Sequence, residues 1–158
     1  MNSLEEKHIV YLGLGSNLGN RKEMLDQACQ MIGKLIGDIV RQSAYCDTLP
    51  WGFESDNRFL NAVVGVQTVL SPRQLLKATQ RIERMLGKRR QHATERTGTT
   101  VYHDRPIDID ILLYDDICID TPDLTIPHPR MAQRPFVMEP LREIMEANDY
   151  EQLLRRLQ

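Results

Sequence analysis

A ferredoxin-like α+β sandwich, βαββαβ in order with a C-terminal extension, is the fold this sequence predicts. Three observations carry it. Two amphipathic runs with helix signals at their ends alternate with four apolar, β-branched stretches of strand length. No repeat or low-complexity tract interrupts that order. The 158 residues are one domain's length and can bury a core without staples, so 1–158 is read as a single domain.

The first strand is His8-Ile9-Val10-Tyr11-Leu12-Gly13-Leu14, followed by the turn Gly15-Ser16-Asn17-Leu18-Gly19-Asn20. Asn20 and Glu23 have capping-box spacing and open a helix over about 21–36. Met24, Ala28, Met31, Ile32 and Leu35 form its apolar stripe, and Gly37 reads as its stop. Residues 39–48 and 58–70 read as strands joined by the loop Leu49-Pro50-Trp51-Gly52-Phe53-Glu54. Ser71-Pro72 with Gln74 starts a second helix, proline sitting where no N–H is needed, and Leu75, Thr79, Ile82 and Met85 keep its period until Gly87. The 18 residues from Lys88 to Arg105 lack an apolar period and contain Lys88, Arg89, Arg90 and Arg96. A loop this long is uncommon and often functional, and a mobile lid is expected of it. After the apolar stretch at 107–113, Tyr114-Asp115-Asp116-Ile117 reads as a hairpin turn, Pro127, Pro129 and Pro135 punctuate the chain, and 137–157 reads as two short helices.

Composition excludes some classes of function. Twenty basic against 22 acidic residues leave a formal charge of −2, with no global basic field for nucleic acid or a membrane surface. Cys29, Cys46 and Cys118 are odd in number and lack CxxC spacing, so they read as reduced core thiols of a cytoplasmic protein. The N-terminus has no signal-peptide pattern, and no apolar run approaches the length of a membrane span.

The chemistry is concentrated in Arg105-Pro106-Ile107-Asp108-Ile109-Asp110-Ile111-Leu112-Leu113. Strand side chains alternate faces, so Asp108 and Asp110 share one, their Cα atoms roughly 7 Å apart, while the isoleucines fill the other. Two half-buried like charges call for a metal or a basic partner; a solvated sheet edge is the alternative. Magnesium suits a site with few carboxylates, because it keeps waters and takes further ligands from substrate phosphates. A bend at Pro106 would aim Arg105 at those phosphates. The glycine-rich run 13–19 fits neither the P-loop nor the dinucleotide fingerprint, so a structural turn is the better reading. Trp51, Phe53 and Phe59 could stack a flat heterocycle and Asn61 could pair with its edge, although aromatics are more often core. His128, between two prolines, is either a packing histidine or a ligand contact. His8, His92 and His103 show no metal-ligand spacing.

Taken together, Gly13-x-Gly15-Ser16-Asn17-Leu18-Gly19, Gln80-x-x-Glu83, Arg105-x-x-Asp108-x-Asp110-Ile111-Leu112 and Pro127-His128-Pro129-x-Met131 resemble the 6-hydroxymethyl-7,8-dihydropterin pyrophosphokinases of folate biosynthesis, over about residues 8–144. The resemblance implies transfer of the diphosphoryl unit of ATP to the pterin hydroxymethyl group, release of AMP, and two magnesium ions. It implies Asp108 and Asp110 as metal ligands, with Arg90 and Arg105 completing the catalytic set. Gln80, Glu83, Ile111, Leu124, Thr125, His128 and Arg134 fall at ATP positions, joined by Lys88, Arg90 and Arg105 at the phosphates and by Tyr102. Thr48, Trp51, Phe59, Asn61 and Phe136 fall at pterin positions. The chain departs from many members at Tyr102-His103-Asp104-Arg105, where Arg-Trp-Gly-Pro-Arg is frequent, at Lys88 for arginine and at Phe59 for tyrosine. A monomer is expected. The rivals are a nucleotidyltransferase, which would release pyrophosphate, and a non-catalytic RNA-binding or sensor module, disfavoured by the absent basic face.

Overall fold

The structure, a computed structural model, describes residues 6–48, 58–87 and 106–158. Strands β1 (His8–Ser16), β2 (Gly37–Gln42), β3 (Cys46–Thr48), β4 (Phe59–Thr68) and β5 (Asp108–Tyr114) form one antiparallel sheet of order β2-β4-β1-β5, with β3 also paired to β4. Helices α1 (Arg21–Leu35) and α2 (Pro72–Met85) cover one face of it. The strands β6 (Ile119–Thr121) and β7 (Leu124–Ile126) form a separate hairpin. A 3-10 turn (Met131–Gln133) leads to α3 (Pro135–Ile144) and α4 (Ala147–Arg156), which cover the opposite face.

The C-terminal extension is therefore a third layer. Its cause lies in the strands: Leu112, Leu113 and Tyr114 are consecutive and all buried, and Val63 and Tyr11 are buried on the same side, so both sheet faces carry apolar side chains that need cover. Leu12, Leu25, Ile32, Leu75, Ile82 and Ile107 fill the core beneath α1 and α2. Met131, Val137, Leu141 and Leu153 fill the other.

Both helices start where their signals predict, but α1 forms only half of the expected capping box, the Glu23 carboxylate accepting from Gln27 instead. The Asn20 side chain accepts from the Glu23 N–H, and Ser71 and Gln74 complete a reciprocal capping box. In α1 the buried centre is Leu25, Ala28 and Ile32, with Met24, Met31 and Leu35 at its margins. Met85, the last residue of α2, is 54% exposed and not part of the core stripe.

Several expectations are corrected. β1 runs two residues further than read, through Gly15 and Ser16, so of the glycines at 13, 15 and 19 only Gly19, at φ +66°, serves the turn. Gly37 is not a left-handed helix stop but the first residue of β2, where a side chain would collide with the Gln67 carbonyl. The turn at Asp115, at φ +49°, does not return the chain along β5. Its carboxylate instead accepts from the Ile9 N–H and pairs with His8, tying the end of β5 to the start of β1, and the hairpin forms further on between β6 and β7. All three thiols are free; Cys46 and Cys118 are exposed and so not core, while Cys29 is half-buried and packs against the core beneath α1 and α2. Among the described residues no helix is long and apolar enough to cross a membrane.

Candidate active site

The aspartate pair sits as the period-two reading requires. Ile107, Ile109 and Ile111 are buried in the α1/α2 core while Asp108 and Asp110 alternate with them, half-exposed, on the face toward α3. Opposite them on β1 stand two residues without side chains: Gly15 pairs with Asp108 and Gly13 with Asp110. One strand further, Gly15 pairs with Asn61. Directly paired residues point to the same face, so Asn61, Gly15 and Asp108 form a row across three strands, about 10 Å from end to end.

At one end of that row the Asn61 amide donates to Thr48 Oγ1 at 2.6 Å, and Phe59 pairs with Thr48 across the β3/β4 ladder. At the other end, Arg134 brings its largely buried guanidinium to 3.6 Å from Asp110, the basic partner that an aspartate pair calls for. The same guanidinium lies 5.8 Å from the centre of the Phe136 ring, on the first turn of α3. Arg134 thus links the carboxylate end of the site to the aromatic that the resemblance places at the pterin.

Along the free edge of β5 a cleft of about 280 Å³ opens between α2, β5 and the β6/β7 hairpin. Ile111, Leu124, Thr125 and His128 line it, four residues expected at ATP and drawn together from separate elements, with Asp110, expected at the metal, beside them. Leu76, Thr79 and Asp123 also line it and were missed: a cleft formed where a helix meets a hairpin leaves no period in the sequence. Glu83 faces the strand, its Oε2 accepting from the Ile109 N–H at 2.7 Å between the two aspartates. Gln80 is exposed on α2 and is not among the lining residues.

The edge of β5 is also closed by His128, whose backbone N–H donates to the Leu112 carbonyl. Its ring Nδ1 accepts from the Arg130 N–H at 3.2 Å, so a neutral ring carries its proton on Nε2 and is a donor there. Burial first, then the neighbouring Arg134, push its pKa down from 6.5 to about 4, against the pull of Asp108. The result is an uncharged donor in the cleft. Trp51, Lys88, Arg90, Tyr102 and Arg105, with the loop read as a lid, lie outside the described residues.

A profile of the 7,8-dihydro-6-hydroxymethylpterin-pyrophosphokinase family matches residues 11–146. The chain is 47% identical over 137 residues to the 2-amino-4-hydroxy-6-hydroxymethyldihydropteridine pyrophosphokinase of Porphyromonas gingivalis, covering 86% of this chain and 90% of that one. It is 39% identical over 140 residues to the enzyme of the same name from Bacillus subtilis, covering 88% and 79%. In fold it is similar to the crystal structure of wild-type Plasmodium falciparum HPPK-DHPS, with a TM-score of 0.68 at 16% identity, over 90% of this chain and 42% of that one.

Proposed function

The chain belongs to the 7,8-dihydro-6-hydroxymethylpterin-pyrophosphokinase family, and from that premise we propose which of its residues do the work. The reaction is transfer of the diphosphoryl group of ATP to the hydroxymethyl group of 6-hydroxymethyl-7,8-dihydropterin, with release of AMP, in folate biosynthesis. The observation that carries the assignment is the row Asn61–Gly15–Asp108. It puts an amide and a carboxylate on one sheet face, a pterin's length apart, which supports reading Asn61 as the heterocycle contact and Asp108 as the group facing the phosphates.

Thr48, Phe59, Asn61 and Phe136 take the pterin, with Trp51 added by resemblance. The cleft on β5 takes the nucleoside end of ATP, apolar on Ile111 and Leu124, with the Thr125 hydroxyl and His128 Nε2–H as polar contacts. Arg134 then meets phosphate oxygens beside Asp110, and Lys88, Arg90, Tyr102 and Arg105 join it by resemblance. Gln80 is proposed at the cleft's rim. Glu83, besides any contact with ATP, holds Ile109 and with it the spacing of the two carboxylates.

Two magnesium ions are proposed at Asp108 and Asp110. Among the described residues no group of three or more His, Cys, Asp or Glu is arranged to hold a metal ion, and a two-carboxylate site fits a cation whose remaining ligands are water and phosphate. When bound, the metal neutralises charge on the transferring group. The residues of the chain supply position: two substrates held on one rigid sheet make the transfer effectively unimolecular. The strand order supports a ferredoxin-like plan for the sheet, and the remaining proposals are a cytoplasmic location and a monomer.

Asp108→Asn and Asp110→Asn are each expected to lower kcat by roughly a hundredfold or more with an unchanged Tm. Product analysis with ATP, magnesium and the pterin should show AMP and pterin diphosphate rising together. Release of pyrophosphate would instead favour a nucleotidyltransferase. Near-normal turnover by a folded variant at ordinary magnesium concentrations would remove that aspartate from the metal site.

A further inference from the structure

Gly15 lies in the interior of the sheet, buried, paired to Asn61 on one side and to Asp108 on the other. A glycine inside a strand gives up packing and costs conformational entropy, so its place there needs a reason. Its backbone supplies none, because its φ is not positive. The reason lies in what a side chain would touch. A Cβ at position 15 would sit 3.0 Å from Oδ1 of Asn61 and 3.5 Å from Cδ1 of Phe59. Asn61 is 6% exposed and its Nδ2 is held by Thr48, so the carboxamide is clamped from one side and rests against bare backbone on the other.

We propose that Gly15 determines specificity for the pterin, by leaving the space that lets the Asn61 carboxamide lie in the plane where it can pair with the edge of a flat heterocycle. The proposal rests on the reading of Thr48, Phe59 and Asn61 as the pterin pocket. A methyl group here forces the amide to give by a few tenths of an ångström, at the cost of the Thr48 bond or of the alignment. A donor and acceptor matched to a ring edge lose most of their value when misaligned, because the ring's polar atoms stay desolvated and unpaired. The ATP cleft is untouched, since none of its lining residues contacts this Cβ.

Gly13 is the built-in control. It lies on the same strand and the same face, opposite Asp110, yet the atoms nearest to a Cβ there belong to the Leu112 side chain, none closer than 3.5 Å, an ordinary contact. Any general effect of alanine in β1 should appear at both glycines; an effect through Asn61 should appear at one.

The test uses the full chain with magnesium. The pterin is titrated in the presence of a non-hydrolysable ATP analogue, and the analogue is titrated separately, for Gly15→Ala, Gly13→Ala, Asn61→Ala and Gly15→Ala/Asn61→Ala. Gly15→Ala should weaken pterin binding about tenfold or more, raise the KM for pterin far more than it lowers kcat, and leave analogue binding within about twofold. Gly13→Ala should match the parent protein. The double variant should bind pterin no worse than Asn61→Ala alone, since the amide through which Gly15 acts is already gone. Parent-like pterin binding by Gly15→Ala, beside a weakened Asn61→Ala, overturns the proposal alone. Full additivity in the double variant, or loss of analogue binding by Gly15→Ala, overturns it too, because position 15 would then be structural. Parent-like binding by Asn61→Ala overturns the pocket reading and the proposal with it.

Discussion

His128 is a histidine held uncharged beside two carboxylates, and the balance is set by its surroundings. Burial and the nearby Arg134 and Arg130 outweigh Asp108, so its pKa falls to about 4. Between about 4 and the ordinary 6.5 the unfolded chain binds a proton that the folded chain does not. Stability from this group is therefore complete above pH 6.5 and is lost as the pH falls through that window. His128→Gln is expected to flatten the fall in the urea midpoint between pH 6.5 and 4; an unchanged slope would show that other groups set it. The carboxylates of Asp26, Asp47 and Asp123, held low by hydrogen bonds from Lys22, Arg21 and Arg73, act below that window. At this scale much was legible. Asp108, Asp110, Asn61 and His128 are candidates that residue type and pattern already single out, whereas the protonation of His128 depends on arginines that the fold brings near.

Elements show the same division in their glycines. Gly37 and Gly33 look alike in the sequence, yet a methyl at Gly37 would strike the backbone of Gln67, while one at Gly33 in α1 meets nothing within 4 Å. Gly37→Ala is expected to destabilise by about 2–3 kcal/mol, lowering the Tm by roughly 5–10 °C. Gly33→Ala should stabilise by about 0.4–1 kcal/mol through the unfolded chain and helix propensity. Thermal melts that move the same way for both would contradict the close approach at Gly37. The caps at Asn20 and Ser71 were readable because donor and acceptor lie within four residues. The hairpin was misplaced because Asp115 finds its partner at Ile9, on a strand about a hundred residues earlier.

The whole molecule is a sheet between two cores, and the face proposed to bind the pterin is the one covered by α3 and α4. Leu75 on α2 and Leu141 on α3 are both fully buried, one in each core. Either change to alanine should cost about 2–5 kcal/mol. Leu141→Ala should in addition weaken pterin binding, because α3 presents Phe136 and follows directly on Arg134, whereas Leu75→Ala should not single out the pterin. Urea unfolding paired with pterin and ATP-analogue titrations separates the two; equal effects on both ligands from Leu141→Ala would deny α3 that role.

Short-range physics accounts for what could be read directly. Helix caps, the 3.6 and 2.0 periods, the shared face of Asp108 and Asp110 and the family motifs are all written in residues near one another along the chain. The rest depends on pairings between distant segments. Gly15 standing between Asn61 and Asp108, the cleft made by α2, β5 and the β6/β7 hairpin, and the second helical layer exist only once the sheet has chosen its register. A strand's sequence states which residues share a face. It does not state which strand will lie beside it, and that choice is made by burying both faces of the sheet at once.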